Sequence, residues 1–187
     1  LAIFVIGMTF AGLITPFDPN EMTLEMMTGP SLLHPLGTDD LGRDLLSRIL
    51  YGTRVSLLIG VSTVLIALVL GVGLGMAAGY FGGWLDLVIM RYIDLQWAFP
   101  NFIIAVYLVA VFGTGLVNVI VAVSLAFLDD FARIARSMTL TLREEQFVDA
   151  ARTMGFSDAR IIIRHILPSA MAPIIVQATV SVSYAIL

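Results

Sequence analysis

Four stretches of this 187-residue chain are apolar and free of charged side chains: 1–17, 55–85, 95–128 and 166–187. Neither the 3.6-residue stripe of a surface helix nor the two-residue alternation of a half-buried strand runs through them. Uninterrupted runs of about 18 or more residues suit the hydrocarbon of a bilayer, which is roughly 30 Å thick. The run 95–128 is too long for one crossing and too short for two. A helix that starts earlier, near Asp86, resolves this, with Phe112-Gly113-Thr114-Gly115 as a tight turn before the next helix. The pattern therefore predicts spans over 1–17, 55–79, 86–112, 116–134 and 169–187. Arg91 and Asp94, three residues apart, are expected to pair on one helical face and so make their burial tolerable.

The first run begins without Met, has no basic segment before it and no small-residue cleavage site after it, so it reads as a spanning helix whose start is missing rather than as a signal peptide. The last run stops without a flanking charge, and the chain reads as cut at both ends. Five alternating spans place 80–91 and 129–165 on one side of the membrane and 18–54 on the other. Seven Arg, counting Arg91, fall in the first group and three, Arg43, Arg48 and Arg54, in the second. Positive charge favours the cytoplasmic side, so 129–165 is expected inside and 18–54 outside.

Within the outer segment, 18–36 is rich in Pro, Asn, Met, Thr and Gly and reads as an irregular loop. Met22, Met26 and Met27 near His34 have the softness for a copper or nickel site, but Met at this spacing reads first as packing, and no metal ligand is assigned. Residues 38–51 read as a short amphipathic helix. Thr38 would be its N-cap, Asp39 and Asp40 would lie in the first turn, Leu41, Leu45, Leu46, Ile49 and Leu50 would form the apolar stripe, and Asp44 would pair with Arg48. It would lie on the membrane surface and lead into the second span. That span carries Gly60, Gly71, Gly73, Gly75 and Gly79, and Gly71-Val72-Gly73-Leu74-Gly75 offers a face for close helix packing.

Composition narrows the chemistry. Hydrophobic residues make up 59% and charged ones 13%, against about a quarter charged in soluble domains. There is no cysteine, hence no disulfide and no thiolate metal site. All ten basic residues are Arg, and without Lys no Gly-x4-Gly-Lys-Ser/Thr phosphate loop exists. The net charge of −4 leaves no basic footprint for nucleic acid. Two His residues in separate loops build no nucleophilic triad. The chain is expected to be no enzyme and to need no cofactor.

The inner loop 137–168 is the informative one. Residues 139–154 read as a charged helix, Gly155 as its positive-φ C-cap, Ser157 as the cap of the next helix, and 159–167 as a second helix ended near Pro168. Two helices meeting at a sharp corner suit insertion into a partner's groove, with small Ala150 and Ala151 allowing close approach and Asp149 offering a charge-assisted contact. Asp149-Ala150-Ala151-x3-Gly155, followed by Leu167-Pro168, resembles the Glu-Ala-Ala-x3-Gly…Leu-Pro loop of ABC importer permeases, with Asp149 in place of the usual Glu. His165-Ile166-Leu167-Pro168 is similar to the dipeptide/oligopeptide/nickel branch. So are Gly37-Thr38-Asp39-x2-Gly42-Arg43-Asp44-x2-Ser47-Arg48, Gly52-x-Arg54-x-Ser56-Leu57, Gly79-Tyr80-Phe81-Gly82-Gly83-Trp84-x-Asp86 and Arg91-x2-Asp94…Pro100.

That resemblance implies an all-α, polytopic transmembrane bundle of the type I importer kind, with about five of six spans present, in a bacterial inner membrane. It implies four kinds of partner: a second homologous permease, two cytoplasmic ATPase subunits, an extracytoplasmic substrate-binding protein and membrane lipid. Asp149, Ala150, Ala151, Gly155, Phe156, Leu167 and Pro168 would couple to the ATPases. Gln96, Asn101, Tyr107 and Gln177 are the polar residues available to line a path for peptide or nickel. An importer of another small solute remains an alternative. A secondary transporter is another, although its intramembrane carboxylates would have to be Asp86 and Asp94.

Overall fold

The computed structural model describes Thr15 and residues 17–186, and among these every regular element is a helix apart from one isolated antiparallel bridge between Thr38 and Asp44. The span expected over 1–17 lies outside the described residues, save Thr15 and Phe17. The chain divides into two compact units, 1–58 and 59–187.

In the first unit a loop leads into helix α1, Leu45–Phe81, which continues through the unit boundary. The helix expected over 38–51 thus begins at Leu45. Two glycines explain the delay. Gly37 and Gly42 hold φ of 80° and 73°, a left-handed conformation that other residues enter at a cost. Between them the Asp39 carboxylate accepts the amides of Leu41 at 2.9 Å and Arg43 at 3.0 Å, an Asx turn that competes with helix. Thr38 is no N-cap; its hydroxyl donates to the Glu25 carbonyl. Asp44 takes that role, accepting the Ser47 amide at 2.7 Å. Arg48 pairs with Asp39 at 3.3 Å rather than with Asp44. Met22, Met26 and Met27 are exposed, so the packing reading of that cluster does not hold. His34, in contrast, is buried, its Nδ1 3.0 Å from Asp44 Oδ1 and its ring 4.7 Å from that of Phe17.

Burial alone would raise the Asp44 carboxyl, but the Ser47 amide and hydroxyl, followed by the His34 ring, outweigh it and hold the group below the ordinary value of 3.8. A folded-state pKa below the unfolded one contributes stability that is present above the unfolded value and lost as pH falls through the folded one. Hydrogen exchange across 38–47, corrected for intrinsic pH dependence, should therefore stay slow until pH drops below 3.8. Asp44→Asn should exchange faster at neutral pH and lose that acid dependence. Parent protein that already opens at about pH 5 would contradict the assignment of Asp44 as the ionised cap.

The second unit holds the rest of α1, then α2 (Gly83–Trp97), α3 (Asn101–Phe112), α4 (Leu116–Ala126), α5 (Leu128–Leu142), α6 (Gln146–Thr153) and α7 (Asp158–Ile186). α1 and α7 are each long and apolar enough to cross a membrane. At about 1.5 Å per residue, the 37 residues of α1 reach roughly 55 Å, well beyond the hydrocarbon. The span expected over 86–112 is two helices, α2 and α3, bent by 93°. Pro100, the N-cap of α3, has no amide to donate and pushes the residue before it out of the helical region. The span expected over 116–134 is likewise interrupted at Phe127, whose backbone (φ −98°, ψ 1°) separates α4 from α5. Gly113, at φ 94°, turns the chain between α3 and α4 as expected.

Two ion pairs tie α2 to α5. Asp86 receives both Nε and Nη2 of Arg136, at 2.5 and 2.6 Å. Asp94 receives Arg133 at 2.8 Å, not Arg91, and the Arg133 guanidinium lies 4.4 Å above the Trp97 ring. Asp86 and Asp94 are eight residues apart, two helical turns, so both face α5. Arg91 falls on another face.

The core is shared by α1, α5, α6 and α7 and contains Val64, Met76, Tyr80, Phe131, Val148, Ala151, Ile161 and Ile166. What lets α1 meet α5 is a seam of three glycines at four-residue spacing. A methyl at Gly71 would lie 2.7 Å from the Leu128 carbonyl. One at Gly75 would clash with the Ala132 carbonyl and come within 2.9 Å of Ala135, and one at Gly79 would lie 2.8 Å from Thr139. The face expected from 71-73-75 is corrected to 71-75-79, because Gly73 looks into open space. Spacing by four follows the helical turn; spacing by two does not.

Gly75→Val should force α1 and α5 apart at a cost of about 1–3 kcal/mol, whereas Gly73→Val should change little. Thermal unfolding in detergent, followed by circular dichroism, checks this. Equal losses for both variants would mean that the seam is not the packing constraint.

Candidate functional site

The loop 137–168 does form a corner, built differently from the uniform helix expected over 139–154. α5 ends at Leu142, the amides of Glu144 and Glu145 fold back onto Thr141 and Leu142, and Glu145 (φ −79°, ψ 146°) opens α6. Arg143 leaves the helix direction to donate to the Gly79 carbonyl at 2.7 Å. This satisfies one of the last carbonyls of α1, which no intrahelical amide can reach.

α6 closes on Gly155 at φ 77°. The Phe156 amide bonds the Ala151 carbonyl at 3.1 Å and the Gly155 amide that of Arg152 at 2.9 Å. These two bonds are the Schellman arrangement, in which a left-handed residue satisfies the terminal carbonyls and reverses the chain. Ser157 sits at the N-cap position of α7, but its side chain makes no capping bond. The Asp158 carboxylate in the first turn instead accepts the Tyr80 hydroxyl at 2.8 Å.

The residues expected to couple divide into two sets. Asp149, Ala150, Gly155 and Pro168 are exposed, and so are Arg152, Thr153 and Met154 beside them. Ala151 is fully buried among Val148, Ile161 and Ile166. It is therefore part of the corner's foundation and not of its outer face, and a charge placed there would disrupt the chain's own packing. Phe156 and Leu167 are half-buried against the same core. The Phe156 ring stacks on His165 with centroids 5.8 Å apart, and Arg160 lies 5.2 Å over it.

On the outer face Arg152 Nη1 lies 3.2 Å from Asp149. The Tyr80 side chain beside it, outweighing burial, and then the Asp149 carboxylate raise the Arg152 guanidinium above its ordinary value, so it is charged at any physiological pH. The corner thus presents a rigid turn with one paired acid and base, an exposed Met and a bare glycine backbone. Its exposed residues are Asp149, Ala150, Arg152, Thr153, Met154 and Gly155.

α7 does not end near Pro168. It runs from Asp158 to Ile186 through a π-turn at Ile162–Ile166, where the Leu167 amide bonds back five residues to the Ile162 carbonyl. The wider turn absorbs Pro168, which has no amide of its own to place in the ladder. Pro173 lies further along the same helix.

Of the four residues named for a translocation path, three lie at the α2–α3 bend and Gln177 lies on α7. Gln96 is buried and donates to the Leu125 carbonyl, and its Oε1 has no partner among the described residues. Gln96 and Tyr107 border adjoining apolar hollows at the α2–α3 bend, which share Phe99, Ile104 and Leu108. Asn101 opens α3 at the same bend. Gln177 belongs to α7 and donates to Asp130 and Ser181, both at 3.3 Å. Its partner Asp130, like the fully buried Asp129, lies in the first turn of α5. Neither oxygen of Asp129 has a hydrogen-bond partner among the described residues. A helix N-terminus buried in the bundle is where an anion is best tolerated, because its amides are unpaired. Sequence reading passed over both carboxylates because the break at Phe127, which creates that N-terminus, carries no Gly or Pro.

Residues 71–187 match the family model described as binding-protein-dependent transport system inner membrane component. A dipeptide transport system permease protein, DppC, of Alkalihalophilus pseudofirmus is 43% identical over 185 residues, covering 98% of this chain and 61% of the relative. A glutathione transport system permease protein, GsiD, of Pectobacterium atrosepticum is 44% identical over 159 residues, covering 85% and 53%. A di/tripeptide transport system permease protein of Pseudomonas aeruginosa is 42% identical over 185 residues, covering 95% and 61%. The chain thus spans between about half and three-fifths of the length of these relatives.

Proposed function

The chain belongs to the binding-protein-dependent transport system inner membrane component family, and from that premise we propose that it acts as the membrane-spanning permease subunit of an ATP-driven importer of short peptides. The observation that carries this reading is the corner itself: a Schellman turn, exposed at Asp149, Ala150, Met154 and Gly155, standing on a buried foundation of Ala151, Val148 and Ile161. A rigid exposed turn on a packed base suits transmission of force from a partner. These 187 residues contain no lysine and hence no phosphate-binding loop; in this reading ATPase subunits docked on that corner supply it.

The partners are then a second homologous permease, two such ATPases on the cytoplasmic side and a substrate-binding protein on the outer side. Closure of the ATPases on ATP would move the corners together and swing the spans between two packing arrangements, opening the path alternately to each side. The relatives' names favour peptides, glutathione being itself a tripeptide. Nothing in those names favours nickel, and an importer of another small solute is the second reading. An ion-driven carrier has less support: Asp86 and Asp94 are paired with Arg136 and Arg133, which leaves the buried Asp129 for such a role, and the relatives' names are those of dipeptide and glutathione permeases.

Two measurements test this together. In the cysteine-free chain, Ser31→Cys and Ser157→Cys, both at exposed positions, should label from opposite sides of intact cells with an impermeant thiol reagent, Ser31→Cys from outside. The complex reconstituted with its ATPases and binding protein should take up labelled dipeptide only with ATP. Labelling of Ser157→Cys from outside, or dipeptide uptake driven by an ion gradient without ATP, would overturn the assignment.

A further inference from the structure

The cytoplasmic end of α1 and the corner are joined by a chain of polar contacts that the docking reading does not require. Asp149, on the exposed face of α6, lies 3.2 Å from Arg152 Nη1. The Arg152 guanidinium sits 5.5 Å from the centroid of the Tyr80 ring. The Tyr80 hydroxyl donates to Asp158 Oδ1 at 2.8 Å, bridging residues 78 positions apart. The arrangement joins helix ends: Tyr80 is the last residue but one of α1, and Asp158 is the first of α7. Each of these helices has the length and hydropathy to cross a membrane.

Apolar packing already holds these elements together. Tyr80 is 8% exposed and lies in the same core as Val148, Ala151 and Ile161. What packing cannot supply is direction. Apolar attraction is non-directional, whereas a hydrogen bond to a carboxylate is short, oriented and about twice as strong as a neutral one. A bond that joins the end of one span to the start of another, with a stacked cation linking it to the docking face, makes the two spans and the corner move as one body.

We propose that Tyr80 and Asp158 are positioning residues for energy coupling: their hydrogen bond, with Arg152 stacked on the tyrosine, latches α1 and α7 to the corner so that displacement of the corner by an ATPase is transmitted to both spans. The latch rests on the docking reading, since without an ATPase at the corner there is no displacement to transmit. It concerns neither affinity for the ATPases nor the substrate path. The hydroxyl is inside the corner's base, and the docking residues are outside it.

The test is the coupling ratio, the number of peptides imported per ATP hydrolysed, in proteoliposomes holding the full complex and its binding protein. Tyr80→Phe removes only the hydroxyl. It should leave co-purification of the ATPases and ATP hydrolysis within about twofold of the parent, and lower the coupling ratio about tenfold, the scale set by one hydrogen bond to a charged group. Asp158→Asn, which keeps an acceptor oxygen, should retain most of the ratio, whereas Asp158→Ala should lose it. Tyr80→Phe combined with Asp158→Ala should be no worse than either alone, because both remove one shared interaction. A structural role would lower protein yield and both activities in parallel and would not separate uptake from hydrolysis. Met154→Asp, on the exposed face, serves as the control for docking. If it abolishes co-purification while Tyr80→Phe leaves the coupling ratio unchanged, the latch is wrong and docking stands. If Met154→Asp leaves co-purification and hydrolysis intact, the docking reading fails and the latch with it.

Discussion

The second unit depends on how closely α1 can approach α5. Lipid chains are as apolar as the helices, so no hydrophobic force draws these two together, and close backbone contact has to supply the attraction instead. Gly71, Gly75 and Gly79 permit that contact, each at a place where a methyl would strike a backbone or Cβ atom of α5. With the seam closed, Gly79 and Tyr80 stand beside the end of α5. Arg143 can then reach the Gly79 carbonyl and Tyr80 can reach Asp158. The corner's place is thus set by a glycine face that begins two helical turns away from it.

Charge follows the same frame. α5 carries Arg133 and Arg136 toward α2, where Asp94 and Asp86 receive them, so four charges that would be costly in lipid are neutralised in pairs. The opposite case lies at the start of the same helix. Asp129 is fully buried, with no hydrogen-bond partner for its oxygens among the described residues, and its position in a helical first turn eases that burial. The breaks that shape the bundle have separate causes. Pro100 forces the bend between α2 and α3, the consecutive left-handed Gly82 and Gly83 turn α1 into α2, and the π-turn carries α7 past Pro168.

Much of this was legible in the sequence where one residue type dictates the backbone. Gly155 was read as a positive-φ cap and is one; the turn at 112–115 and the apolar identity of α1 and α7 were read in the same way. Local signals mislead where a tertiary competitor is stronger. Thr38 followed by two Asp looked like a helix start, but Gly37, Gly42 and the Asp39 side chain make a turn there and leave the cap to Asp44. Arg91 and Asp94 had helical spacing, yet Arg133 on another helix offered Asp94 a better partner. Pro168 looked like a terminator because a π-turn carries no sequence mark. Ala151 looked like part of a contact surface, since an alanine's neighbours cannot be told from its neighbours in sequence. Tyr80 with Asp158 was invisible for the same reason, being a contact between residues 78 positions apart.

The central claim is that the exposed turn at 149–155 seats an ATPase subunit. A photo-crosslinking amino acid placed at Met154, exposed and outside the core, tests it most directly in membranes holding the assembled complex. The account predicts a crosslinked product containing this chain and the ATPase, whose yield changes when ATP is added, and no such product from the same group at Phe112, at the α3–α4 turn. No ATPase product from Met154, or one equally abundant from Phe112, would contradict it.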